Sequence, residues 1–189
     1  MMMNKRARPA LFAFLILCVF LTASYSQDVS PAAQAYKTWK EKRLAAGELA
    51  DGNHICVAYA VTGSKDNIAK ISIAVGVGSN VSVPDEMKFT VQPVIAKKDA
   101  DGKNVFEAIG EPGNLRFPDV ENSKDPKNDL VAELNFTIPA PAGATAMKIT
   151  VTVKNSNYSA VLPLTHTTNT ATLGGKIETD AALGKVVPM

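Results

Sequence analysis

The feature that most constrains this chain is an alternation of apolar residues with polar or small ones that recurs between residues 53 and 164. A period of two is typical of β-strands, whose successive side chains point to opposite faces. The pattern predicts seven short strands, at 55–61, 71–77, 87–95, 105–109, 130–138, 147–153 and 158–164. Turn residues separate them, so we expect a mainly β fold, an antiparallel, immunoglobulin-like β-sandwich. A closed barrel has the same periodicity and stays open as an alternative.

One segment before the strands has the period of a helix instead. Ser30 is suited to cap a helix N-terminus, Pro31 to its first turn and Gly47 to the position after its end. These signals predict a helix over 31–46. Its aromatic residues, Tyr36 and Trp39, share one face with Ala32 and Arg43.

The aromatic pair has two interpretations. In one, Tyr36 and Trp39 contact a membrane surface or a protein partner. In the other they dock on the sheet and cover it, which the marginal stability of isolated helices favours.

The first 26 residues have the composition of a secretory signal peptide. A positively charged stretch at 5–8 precedes an uncharged apolar run at 10–21, and the small residues Ser24 and Ser26 follow at the spacing that signal peptidase requires. We therefore expect cleavage before Gln27 and an exported protein that is periplasmic, cell-surface or secreted. The apolar run is short for a membrane span. Lipid attachment at Cys18 is disfavoured, because the residue before it is a leucine where a small one is required.

Removing that segment reverses the sign of the net charge. The formal charge of +2 becomes −1, since three of the 20 Lys and Arg residues are lost and all 18 Asp and Glu residues remain. A balanced charge offers no electrostatic basis for binding nucleic acid. No transmembrane segment is predicted after cleavage. The rest divides into a leader with the helix (27–52), one sandwich domain (53–166) and a C-terminal tail (167–189) with at most one weak strand.

Cys56 is the only cysteine expected after cleavage, so no intramolecular disulfide is predicted. It lies within an apolar run, which predicts a buried and slowly reacting thiol. Together with His54, His166 and a methionine it has the ligand types of a blue-copper site. The spacing differs, because the ten residues after Cys56 contain neither His nor Met. A copper-binding protein using His54 and Cys56 is therefore a minor alternative, and no cofactor or metal is predicted.

The first two strands predict their own register. Their large residues are at odd positions, so both rows face the core only when paired residue numbers have an even sum, as with a five-residue loop at 63–67. The opposite face then consists of small side chains: Cys56, Ala58, Ala60, Ser72, Ala74 and Gly76. We expect Tyr36 and Trp39 to lie against this face.

Two connections between the predicted strands have residues that occur in functional loops. The segment 99–104 has some calcium-loop residues but fits a hairpin turn better, with Gly102 at positive φ. The long polar stretch at 110–128 is either a functional loop or a crossover between sheets. In the first case Leu115, Arg116 and Phe117 form a contact site, and in the second they form a short edge strand.

No nucleophile motif is present, and the carboxylates are scattered along the chain. The favoured hypothesis is an exported, non-enzymatic module that binds a protein partner or contributes to a periplasmic or cell-surface assembly. A secreted hydrolase, whose carboxylates meet only in three dimensions, is the alternative. The candidate contact residues are Leu115, Arg116, Phe117, Tyr36 and Trp39.

Overall fold

The computed structural model describes residues 29–64, 66–82, 86–118, 129–153, 155–177 and 186–188. Their elements, in chain order, are α1 (Pro31–Ala45), β1 (His54–Gly63), β2 (Ile68–Val77), β3 (Glu86–Lys98), β4 (Asn104–Ala108), β5 (Gly113–Pro118), β6 (Leu130–Pro139), β7 (Ala146–Val153), β8 (Ser156–Pro163), β9 (Asn169–Ile177) and β10 (Val186–Pro188).

The strands form two antiparallel sheets. Sheet A has the order β10-β9-β1-β2-β6, and sheet B has the order β4-β3-β7-β8. β5 also pairs with β3, along 86–91, whereas β4 pairs with β3 along 94–98. Because β7 occupies the other side of β3 over 87–94, β4 and β5 lie end to end along one edge of sheet B.

One apolar core lies between the sheets, so the fold is mainly β and sandwich-like. The odd-numbered residues of β1 and β2 face this core and are buried, from Ile55 to Val61 and from Ile71 to Val77. Sheet B contributes the buried side chains Met87, Phe89, Val91, Met147, Ile149, Val151 and Val153. The alternation predicted for these four strands is confirmed.

The predicted register of the first hairpin, in which the numbers of paired residues have an even sum, is also confirmed. Ile55 lies opposite Val77 and Gly63 opposite Ala69, so the paired numbers have an even sum. Five residues, 64–68, separate the last pair, one position later than the predicted loop. Both rows of large residues therefore face the core, and the small residues face outward.

β6 departs from strict alternation. Val75 lies opposite Ala132 but Gly76 lies opposite Leu130, which makes Val131 the extra residue of a β-bulge. Val131 and Ala132 are consequently both buried, although the periodicity assigned them to opposite faces.

The C-terminal tail contributes more structure than predicted. β9 pairs with β1 over eight residue pairs, from His54 opposite Lys176 to Val61 opposite Asn169, and β10 pairs with β9. β1 is therefore an interior strand. The sheets continue past the predicted boundary at residue 166, and the described residues contain ten strands where about seven were expected.

α1 has the predicted ends. The Ala33 N–H donates a hydrogen bond of 3.2 Å to Ser30 Oγ, and Gly47 follows the helix with a φ of +75°. The helix packs on the outer face of sheet A, where a second apolar cluster forms. An ion pair of 2.6 Å between Lys40 Nζ and Asp129 Oδ2 joins the helix to the start of β6.

Candidate partner interface

Tyr36 and Trp39 are buried between α1 and the outer face of sheet A. Their exposed fractions are 2% and 8%, and their ring centroids lie 6.3 Å apart. Docking on the sheet is confirmed. Neither ring is accessible to a separate partner while α1 is docked.

Two glycines provide the space for these rings. Gly76 and Gly174 lie opposite Cys56 on the strands that flank β1. A Cβ atom at Gly76 would lie 2.1 Å from the Tyr36 ring, and one at Gly174 would lie 2.2 Å from the Trp39 ring. Glycine is thus required at both positions for the helix to approach the sheet this closely. Cys56 is enclosed between the two ring sites.

The environment of Cys56 suppresses thiolate formation. The side chain is fully buried, and burial raises the pKa of the thiol well above its ordinary value. Because the thiolate is the reactive species, such a thiol is inert unless the helix moves. The predicted burial is confirmed, and slow labelling stays a prediction.

The two histidines lie at opposite ends of β1. His54, at its start, is buried with its ring centroid 5.9 Å from that of Trp39. His166 is exposed, with Nδ1 3.4 Å from the carbonyl oxygen of Gly63, the last residue of β1. At about 3.3 Å per residue the two ends are roughly 30 Å apart, so His166 does not join Cys56. Among the residues that the structure describes, no three His, Cys, Asp or Glu side chains form a metal-binding group.

The carboxylates that are described do not form a buried cluster. Within the described ranges the buried polar side chains are Ser30, His54 and Ser72. Asp129, Glu48 and Glu107 each form an ion pair with a Lys or Arg at the surface. A cluster of buried carboxylates in one cleft would favour the hydrolase alternative, and the described part of the chain contains no such cluster.

Leu115, Arg116 and Phe117 lie in β5, at the edge of sheet B. The next strand, β6, belongs to sheet A, so the chain crosses between the sheets after β5. The edge-strand interpretation is confirmed for the backbone. The side chains of 115–118 and the loop 119–128 lie outside the described residues.

The sequence did not single out β4, which lies beside β5 on the same edge. All five of its residues are exposed, and its two large apolar side chains, Val105 and Phe106, are 47% and 42% exposed. They lie on opposite faces of the strand, because they are adjacent in sequence. The sequence did contain one indication that β4 lies at an edge. The predicted strand at 105–109 is short, and short strands are common at sheet edges.

α1 lies on sheet A as a ridge with a groove on each side. The groove towards β9 has a volume of about 650 Å³ and is lined largely by Thr, Lys and Arg side chains. The groove towards β6 has a volume of about 360 Å³, with Lys70 and Asn135 among its lining residues. Both are open to solvent, and polar and apolar side chains are mixed along each of them.

Among the described residues, no helix has the length and apolar content that crossing a membrane requires. No family model, curated protein or solved structure matches this chain.

Proposed function

We propose that this chain is an exported binding module with an immunoglobulin-like strand order, and that it contacts a protein partner through the outer edge of sheet B. It would act in the periplasm, at the cell surface or as a secreted protein. The edge is defined by β4 and β5, and so includes the segment from Leu115 to Phe117 that the sequence suggested.

The order of the strands supports the immunoglobulin-like part of the proposal. In sheet A, β1-β2-β6 corresponds to strands A-B-E of that fold. In sheet B, β4-β3-β7-β8 corresponds to C′-C-F-G. β9 and β10 are then additions at the free side of strand A, and α1 covers the outer face of the same sheet.

The observation that carries the binding proposal is the exposure of β4. A half-exposed valine and a half-exposed phenylalanine, on the two faces of one edge strand, offer apolar surface next to the unpaired backbone groups of that strand. Completing the burial of both side chains would contribute about 2 kcal/mol to association. A strand edge of this kind is a recurrent site of peptide and protein recognition.

A photo-crosslinking amino acid at position 106 tests the proposal in the native cell. We expect irradiation to yield an adduct between this chain and an envelope or secreted protein, because residue 106 would lie in the interface. The same substitution at Leu44 is the matched control, since Leu44 is a 48% exposed apolar residue on α1, remote from β4.

Mass spectrometry of the adduct also identifies the N-terminus of the chain, which we expect at Gln27. Equal crosslinking from positions 44 and 106, or none from position 106, would contradict the assignment of the interface. An adduct that retains Met1 would contradict export by cleavage.

A further inference from the structure

We propose that β4 pairs edge to edge with β4 of a second copy of this chain, antiparallel and about a twofold axis through Phe106. The inference rests on the proposed function and names the partner at one half of the proposed edge. This pairing of the β4 strands would join sheet B of one copy to sheet B of the other, as one continuous sheet.

Among the outer strands that the structure describes, β4 is the one without a proline. Proline at an edge strand blocks addition of a further strand, because it has no N–H to donate. The other outer strands each end in a proline: Pro118 in β5, Pro139 in β6, Pro163 in β8 and Pro188 in β10. β4 contains none.

The backbone of β4 presents a symmetric set of free groups. The Ile109 N–H donates to the Pro93 carbonyl at 2.9 Å, and the Asp99 N–H donates to the Lys103 carbonyl at 3.0 Å, so residues 103 and 109 turn their backbone groups towards β3. Along an antiparallel strand, the N–H and C=O groups of successive residues point alternately towards one neighbouring strand and away from it. Val105 and Glu107 therefore also face β3, whereas the groups of Asn104, Phe106 and Ala108 face away from it.

Phe106 is the centre of this outward set, which makes the edge self-complementary. A twofold axis there lets the two Phe106 residues exchange their N–H and C=O groups, and places Asn104 opposite Ala108 of the other copy. The phenyl rings then face each other across the two strands, which is a favourable cross-strand pair.

The charges on β4 and on the adjacent strand β3 permit two identical edges to meet. Glu107 forms an ion pair with Lys97 on the adjacent strand of its own chain. A second copy therefore brings a neutralised pair to the contact rather than an unpaired like charge. Two five-residue strands bury less than the roughly 1,200 Å² of a stable interface, so we expect a weak, concentration-dependent dimer.

Sedimentation of the exported chain, residues 27–189, over a range of concentrations tests the inference. We expect monomers at low concentration and dimers as the concentration rises. Ala108→Pro removes an outward N–H without removing a hydrogen bond to β3, so this variant should remain monomeric with an unchanged melting temperature. Ala108→Val retains that N–H and should dimerise like the unmodified chain.

If Ala108→Pro lowers the melting temperature, Phe106→Asp replaces it as the test variant and should also be monomeric. An unmodified chain that stays monomeric throughout, or an Ala108→Pro chain that folds and dimerises normally, would overturn the inference. The proposed function survives that result if position 106 still crosslinks to a different protein, and fails with it if position 106 yields no adduct.

Discussion

Two buried tyrosine hydroxyl groups differ in a way that sequence does not reveal. The Tyr59 hydroxyl donates a hydrogen bond of 2.7 Å to the carbonyl oxygen of Tyr158. The Tyr36 hydroxyl is equally enclosed but has no hydrogen-bond partner among the described residues. Burial raises the pKa of both phenols above the ordinary value, so both stay neutral at physiological pH. A buried hydroxyl without a partner costs free energy, whereas one that is paired contributes stability.

Replacing each tyrosine with phenylalanine should therefore change stability in opposite directions. Tyr36→Phe removes a buried group without a partner and should raise the free energy of unfolding by about 1 kcal/mol. Tyr59→Phe removes a buried hydrogen bond to the Tyr158 carbonyl and should lower it by about 1 kcal/mol. Urea denaturation of the exported chain measures both values. A loss of stability in Tyr36→Phe comparable to that in Tyr59→Phe would show that the Tyr36 hydroxyl is satisfied.

At the scale of elements, the position of α1 depends on three strands that meet beneath it. The sequence predicted the helix, its cap and the smooth face of β1 and β2, because these follow from local residue types and from a period of two. It did not predict Gly174 beneath Trp39, because that glycine lies in a tail whose glycines and threonines gave little strand signal. Pairing with β1 outweighed the weak β-strand propensity of this segment.

Gly174→Ala tests whether the helix position depends on that glycine. The added methyl group would overlap the Trp39 ring, so α1 must shift or detach, and Cys56 beneath it should become accessible. We expect a small thiol reagent to label Cys56 at least about tenfold faster than in the unmodified protein.

Gly113→Ala is the matched control, because its Cβ would meet the nearest non-neighbouring atom at 3.8 Å, an ordinary contact. Labelling that is equally slow in all three proteins would mean that the sheet or the ring adjusts without moving the helix.

For the whole molecule, the periodicity predicted the composition of the core but not the edge position of β4. The rows from Ile55 to Val61 and from Ile71 to Val77 were assigned correctly, since burial of one face is encoded in each strand alone. The edge position of β4 depends on how strands distant in sequence are ordered, and no local pattern records that order. The candidate interface was therefore predicted only in part, through Leu115 to Phe117.

Truncation distinguishes the structural role of β9 from that of the residues after it. Ending the chain at Thr168 removes β9, which leaves one side of β1 unpaired, exposes the Trp39 site and removes Leu173 from its contact with the core. We expect a loss of several kcal/mol, comparable to the entire stability of a typical domain. Ending the chain at Ile177 retains β9 and should preserve a cooperative melting transition by circular dichroism. Cooperative melting of the shorter chain at an unchanged temperature would contradict the assignment of β9 to the folding unit.

The position of Trp39 also gives the protein a natural optical reporter. It is the only tryptophan in the chain, and it lies on the helix with Cys56 and His54 close by rather than in the core between the sheets. Its fluorescence spectrum therefore reports the attachment of α1, while the circular dichroism of the strands reports the sandwich itself. Detachment of the helix and melting of the sheets can thus be followed separately in the same sample, without any added label.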